Sequence, residues 1–509
     1  CKGRLKMVAD SITIDKNNKV SFNNNVDYCI GTGRMGLALQ REYFNQLKLV
    51  QEKIGFSHIR GHGLFSDDMA IYHEYKDSEG NYHAEYNFTY LDLVMDSYKE
   101  LHIKPFLELG FMPAALASGT QTIFYWKGNT TPPKSEQGWC ELVKATLGHL
   151  MERYGVDEVV TWPVEVWNEP NLPGFWENAD MQKYFRLFEI TFGAVKELDS
   201  RFRVGGPAVC GVNDEYWIRE FMKFCREKKL AVDFITRHHY TTELPESEGH
   251  YGYQRLSEPE PGFENLMTTR RIIDEFEEYT GREIHITEFN TSYIPNNPIH
   301  DTNLNAAYIA QQLSRLGDMN ESYSYWTFGD IFEECGVPFT PFHGGFGLVA
   351  DGCIPKPTFW IFNFYKKLRG DCVYRSDEVI VTLDSDGIYH GIMWNPCYGD
   401  KKGTINVCLD IPAEDEEKYC LVKKTVDENT CNPLKAWHEL GEPAALTAEQ
   451  KEIILEVSGP FVETECVKAK AGVIRLDNTV TENGVVYFEL LQIKKNNDRG
   501  YDYERALMA

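Results

Sequence analysis

Between about residue 26 and residue 355, short apolar runs alternate with longer stretches whose apolar positions recur at helical spacing. The short runs fall at residues 28–30, 56–59, 105–110, 163–167, 203–207, 232–237, 283–287 and 322–327. Residues 37–52, 139–153, 181–198, 216–227, 264–279 and 305–316 read as helices in the gaps. Eight strand–helix repeats predict a parallel sheet, and eight is the number that closes a (β/α)8 TIM barrel. The fold class expected is therefore α/β.

After Pro355-Lys356-Pro357 the period changes. Residues 379–383, 389–394, 404–409, 419–424, 451–457 and 485–491 read as short strands, separated by turn chemistry such as Asp386-Gly387. The expected organisation is a catalytic barrel at 26–355 and an accessory β-sandwich at 356–509 with a polar C-terminal tail. Residues 11–14 and 20–22 look like a hairpin, placing 1–25 outside the barrel and against the sandwich.

Composition narrows the function classes. A formal net charge of −25 disfavours nucleic acid and anionic membranes as partners, because phosphates are repelled. With 29 Phe, 28 Tyr and 10 Trp, the chain has rings for a core and for flat surfaces that stack on the C–H faces of sugars. No apolar run approaches the roughly 20 residues of a membrane span. The 13 cysteines are scattered, with no CxxC and no zinc spacing, which favours reduced thiols and a cytoplasmic setting. Cys1 admits two readings, a fragment lacking its first residues or a secreted protein lipid-anchored through that cysteine, and the first is preferred.

In such a barrel, catalytic groups sit where strands end. The fourth expected strand ends in Trp167-Asn168-Glu169-Pro170 and the seventh in Thr287-Glu288. Strands four and seven face each other across the barrel mouth, so two carboxylates meet in one pocket. Cleaving an acetal needs a proton for the departing oxygen and a nucleophile for the cationic carbon, and paired carboxyl groups supply both. Glu169 is expected to be the acid/base and Glu288 the nucleophile. A single glutamate at a strand end is more often a surface ion pair; two at these strands reverse that. Asn168 is expected to meet the sugar 2-hydroxyl, and Arg60, ending the second strand, to support Glu288. His62 follows in a glycine-flanked loop. Alternation puts His238 and Tyr240 on the pocket side of the sixth strand and turns His239 away. Trp326 at the eighth strand suits a sugar platform, and Glu333 and Glu334 just beyond it suit sugar hydroxyls. No metal is called for.

These residues together resemble the β-xylosidases of glycoside hydrolase family 39. The similar segments include Gly31-Thr32-Gly33-Arg34, Ile59-Arg60-Gly61-His62-Gly63, Phe124-Tyr125-Trp126, Glu288-Phe289-Asn290-Thr291-Ser292-Tyr293 and Phe342-His343-Gly344-Gly345-Phe346-Gly347-Leu348. The resemblance implies a retaining, exo-acting enzyme that releases xylose from non-reducing ends of xylo-oligosaccharides without cofactor or metal. It carries the acid/base on the Asn-Glu-Pro motif, here Glu169, and the nucleophile on the Thr-Glu motif, here Glu288. It also implies a homo-oligomer, such as a tetramer, acting on xylo-oligosaccharides or aryl xylosides.

Three other readings compete. The resembled family includes α-L-iduronidases, but a uronate carboxylate would be repelled by Glu333 and Glu334. Gly31-Thr32-Gly33-Arg34-Met35-Gly36 is a literal GxGxxG, yet the next strand ends in Arg60-Gly61-His62, without the acid a dinucleotide ribose needs. A non-catalytic carbohydrate-binding protein would have no use for both carboxylates.

Overall fold

The computed structural model describes residues 11–494 and 500–508. Eight parallel strands close a barrel in sequential order: β1 (Cys29–Arg34), β2 (His58–His62), β3 (Lys104–Leu109), β4 (Val164–Val166), β5 (Val204–Val209), β6 (Phe234–Tyr240), β7 (Glu283–Asn290) and β8 (Ser322–Tyr325). All eight fall on the runs expected. Helices α1 (Arg41–Lys53), α2 (Thr89–Glu100), α3 (Glu136–Tyr154), α4 (Met181–Leu198), α5 (Asp214–Lys228), α6 (Pro259–Asp274), α7 (Asn303–Leu316) and α8 (Pro357–Lys367) accompany them. In α4 the Asp180 side chain accepts from the Lys183 N–H and starts the helix. Tyr184, Phe188, Thr191 and Val195 then recur on one face and are buried. Each such aromatic stabilises the shell by ~1.5–3 kcal/mol. Helix α2 is not among the expected ones, although Leu91, Val94, Met95 and Tyr98 have the helical spacing. It follows an inserted hairpin, Tyr72–Lys76 with Tyr82–Tyr86, which lengthens the gap after β2.

The barrel ends later than expected. Pro355 closes a short strand, Ile354–Pro355, and Pro357 occupies the first turn of α8, where a missing N–H costs nothing. Phe359, Phe362 and Tyr365 of α8 join the barrel's core. Lys356 is fully buried and bonded to Asp301 and Asp330, each at 2.6 Å.

The accessory part has two sheets. One has six strands, in the order Asp371–Arg375, Val379–Leu383, Tyr389–Asn395, Gly484–Gln492, Lys418–Val426, Phe461–Lys468. The other has three: Ile12–Thr13, Ile405–Pro412 and Val473–Val480. Val407, Leu409, Ile411, Ile474 and Leu476 face Val381, Met393 and Phe488 in the core between them. The outer face of the large sheet is buried too: Ile380, Ile392, Trp394, Val485 and Tyr487 belong to the barrel's core.

Two expectations are corrected here. Ile12–Thr13 pairs parallel with Leu409 and Asp410 of the small sheet, but 20–22 forms no strand, so the N-terminal segment is a strap and not a hairpin. Residues 451–457 are helical: a capping box between Thr447 and Gln450 begins Ala448–Glu456. The short apolar run Ile453-Ile454-Leu455 is ambiguous in period, and only Ile454 of the helix is buried. Cys1 lies outside the described residues, as do 495–499 of the tail; Tyr503–Ala506 is one helical turn. Among the described residues, no helix is long and apolar enough to cross a membrane.

Candidate active site

The pocket is built at the C-terminal ends of the strands. After β4 the chain turns sharply, with Trp167 at φ 73° and Glu169 at φ 44°. The Trp167 ring anchors the turn, fully buried among Phe111, Trp139 and Trp176, with its Nε1 donating to the Phe175 carbonyl at 2.8 Å. The Glu169 N–H donates to the Ala208 carbonyl at 3.0 Å. Such left-handed positions are costly for residues other than glycine and persist where the surroundings over-determine them.

Opposite, β6 and β7 stay in register to Arg237 and Ile286, then slip so that His238 pairs with Glu288. The extra residue on β7 lets neighbours Thr287 and Glu288 both reach inward. Thr287 Oγ1 donates to Glu165 at 2.9 Å. Glu288 accepts from Arg60 Nη1 at 2.5 Å and from the Tyr240 hydroxyl at 2.8 Å. Both of its oxygens are thus held by donors, the arrangement an ionised carboxylate takes.

Arg60 is the hub of the floor. It has no exposed surface. Its Nε donates to Glu165 at 2.7 Å and its Nη2 to Asn168 Oδ1 at 2.9 Å, and Nη2 also forms an ion pair with Glu108 at 2.9 Å. His62 Nδ1 lies 2.7 Å from Glu108, which aims Nε2 at Glu288, 3.6 Å away. Burial pushes the Glu108 carboxyl up, but His62 and Arg60 outweigh it and hold it below its ordinary value. Glu108 and Glu165 escaped the sequence reading. The signal was present, since each is a charged residue inside an otherwise apolar strand, Phe106-Leu107-Glu108-Leu109 and Val164-Glu165-Val166.

Glu169 has a different environment. It is buried, and its partner is His238 Nδ1 at 2.8 Å. Burial pushes its carboxyl up to about 7, against the downward pull of His62 and Arg60. Burial likewise lowers His238 to about 4, so at neutral pH its imidazole is uncharged. His239 points away, to Gln312 on α7. Glu169, His238 and Glu288 bring one polar atom each to within 4.8 Å of one another. These are donor types a metal accepts, but here they hold hydrogen-bonded partners: His238 for Glu169, and Arg60 and Tyr240 for Glu288.

The expected rim residues divide. Glu334 stands at the cleft beside both carboxylates; burial, then Glu288 and Glu169, push its carboxyl well above the usual range. Glu333 turns away, bonded to Arg34 Nη2 at 2.5 Å and near Gln40. The Arg34 ion pair holds Glu333 away from the cleft. Trp326 is 2% exposed, packed against His62 at 4.7 Å, Phe332 at 6.0 Å and the Arg60 guanidinium at 5.9 Å. It is a wall of the pocket, with little surface left as an open platform. The glycine motif serves this wall: a Cβ on Gly31 would lie 2.6 Å from the Trp326 ring, and one on Gly33 2.9 Å from Phe332. A cleft of about 280 Å³ opens outward from there, lined by Tyr251, Asn296, Glu334, Phe339 and His343 among others, and not by Glu169 or Glu288.

A family model for glycosyl hydrolases family 39 matches residues 10–474. The chain belongs to that family. It is a glycosidase. A β-xylosidase of Geobacillus stearothermophilus is 47% identical over 487 residues, 95% of this chain and 96% of the relative. A β-xylosidase of Caldicellulosiruptor saccharolyticus is 36% identical over 84% of this chain and 87% of its own. The crystal structure of a monomeric β-xylosidase from Caulobacter crescentus CB15 superposes with a TM-score of 0.87 at 32% identity, covering 96% of this chain and all of that one.

Proposed function

We propose that this family 39 glycosidase is an exo-acting, retaining β-xylosidase that removes xylose from the non-reducing ends of xylo-oligosaccharides. The observation that carries the mechanism is the pairing of Glu169 and Glu288 in opposite environments, with carboxylate oxygens within 4.8 Å. Retaining enzymes hold their carboxyl groups about 5–5.5 Å apart, and inverting ones leave roughly 6.5–9.5 Å for a water. The xyloside reading is supported by the two β-xylosidases, which match 95% and 84% of the chain.

In the first step a Glu288 oxygen attacks the anomeric carbon, and the Glu169 proton goes to the departing glycosidic oxygen. In the second, Glu169 takes a proton from water, the water oxygen attacks the anomeric carbon, and the Glu288 ester bond breaks. β-Xylose leaves and Glu169 is again an acid. Neutral His238 suits both states of Glu169: with its proton on Nδ1 it donates to Oε1, leaving Oε2 to carry the proton for the glycosidic oxygen. Asn168 gives its oxygen to Arg60, which leaves its NH2 as the group to offer a sugar hydroxyl. With Glu333 turned onto Arg34 and the Glu334 carboxyl raised, the expected charge repulsion of a uronate falls away, and the preference for a xyloside rests on the xylosidase relatives. Exo action is proposed from the likeness to the family 39 β-xylosidases.

The deciding experiment is hydrolysis of p-nitrophenyl β-D-xylopyranoside with NMR of the first-formed sugar. β-Xylose first is the expected result. α-Xylose first would mean inversion, and no xyloside turnover with cleavage of the matching iduronide would mean a uronide substrate.

Two further results are expected. Glu169→Ala should lower kcat/KM for xylobiose by about 10²–10⁴-fold, the scale of general-acid catalysis, and leave that for a dinitrophenyl xyloside near wild type. Equal losses on both would contradict the acid role. With its carboxyl at about 7, Glu169 is the active acid below that pH and is lost as an acid above it. The kcat/KM profile for xylobiose should therefore fall on its alkaline side with a midpoint near 7. A fall unchanged in Glu169→Gln would assign it to another group.

A further inference from the structure

The outermost strand of the large sheet, Phe461–Lys468, has seven exposed residues out of eight. It pairs antiparallel with Lys418–Val426, and Cys420 stands directly opposite Cys466. Backbone hydrogen bonds define the kind of pair. The Lys418 carbonyl accepts from Ile493, on the neighbour away from the edge, and the Glu417 carbonyl accepts from Ala469, on the edge side. Direction alternates along a strand, so Cys420 turns its backbone groups inward, as Lys418 does. Cys420 and Cys466 are therefore a non-hydrogen-bonded pair. Such pairs hold their Cα atoms about 4.5 Å apart, within the roughly 4.4–6.8 Å that a disulfide spans. Tyr419 and Leu421 point into the sandwich core, as does Val467, so both cysteines stand on the other face. Cys466 is exposed, Cys420 is half-buried, and both are unbonded thiols.

We propose that Cys420 and Cys466 form a redox modification site that closes a cross-strand disulfide by exchange with a small disulfide of the glutathione type. The exposed Cys466 thiolate attacks one sulfur of that disulfide; its S–S bond breaks and one small thiolate leaves. The Cys420 thiolate then attacks the Cys466 sulfur, forming the protein disulfide and expelling the second small thiolate. Two protein thiols lose two electrons and two protons; one small disulfide becomes two thiols. The bond staples an edge strand whose side chains hold little else in place. It also closes the loop 421–465, which contains helices Pro433–Glu439 and Ala448–Glu456. Trp437 and Ile454 of those helices pack against Phe342, Ala350 and Ile354, behind the rim loop of the barrel.

The test is incubation of the full chain with oxidised glutathione at mildly alkaline pH, alkylation of the remaining thiols, and peptide mapping without reduction. A Cys420–Cys466 linked peptide is expected, together with a midpoint of thermal unfolding several degrees above that of the reduced protein. In Cys420→Ser, which lacks the resolving thiol, Cys466 should instead retain glutathione. Recovery of both cysteines alkylated, or of each carrying its own glutathione in the wild type, would overturn the proposal.

Discussion

Glu288→Ala is expected to remove nearly all turnover, by roughly 10⁴-fold or more, the scale on which losing a covalent nucleophile is felt. The fold should tolerate the change, since it removes one of the carboxylates crowded around Arg60 and leaves the guanidinium bonded to Glu108, Glu165 and Asn168. The informative part is rescue. The vacated space lies on the face from which Glu288 would attack, so added azide should restore turnover of an activated aryl xyloside and give the α-xylosyl azide. NMR of the product decides between roles. A β-azide would mean that Glu169 and Glu288 have been assigned the wrong way round, and no rescue with an intact fold would remove Glu288 from the reaction.

Arg60→Met is expected to have the largest effect on stability. Three buried carboxylates, Glu108, Glu165 and Glu288, lose their shared cation at once. Breaking one buried ion pair costs roughly 3–5 kcal/mol, because the remaining charge is left desolvated. The loss should depend on pH. In the wild type Glu108 is held below its ordinary value, so it contributes stability at neutral pH and loses it as pH falls through its folded-state value. In the variant burial acts on Glu108 against His62 but no longer against Arg60, so its carboxyl moves up and part of that stabilisation is lost at neutral pH. The deficit between variant and wild type should therefore be widest at neutral pH and shrink in mild acid. Urea unfolding at two pH values measures it; an equal deficit at both would contradict the electrostatic account. A second substitution, Glu108→Gln, should recover part of the loss.

The eightfold alternation was legible because barrel strands are buried on both faces and read as apolar runs, while the helices show one buried stripe. The same pattern located Glu169 and Glu288, since only strand ends open to the pocket. Less was visible where two signals overlapped. Pro355-Lys356-Pro357 marks a change of period and reads as the domain border unless Pro357 is recognised as a helix start. Ile453-Ile454-Leu455 reads as a strand until the Thr447–Gln450 capping box is weighed. At the site, attention to strand ends hid the strand interiors, and Glu108 and Glu165 were passed over. Glu333 and Glu334 are adjacent in sequence, but Arg34 claims one and leaves the other at the cleft, a division set by tertiary contact.

The large sheet has no solvent face over its central strands. Trp394 and Tyr487 lie in the barrel's core, and Met393 and Phe488, one residue along, lie in the sandwich's. Neighbouring side chains of one strand thus answer to different cores. The chain has a border in its topology, but both cores are built on the strands of one sheet. Disturbance on the far side of the sheet is passed to the shell that holds the catalytic strands, so the accessory part acts as a keel for the barrel and not as an appendage to it.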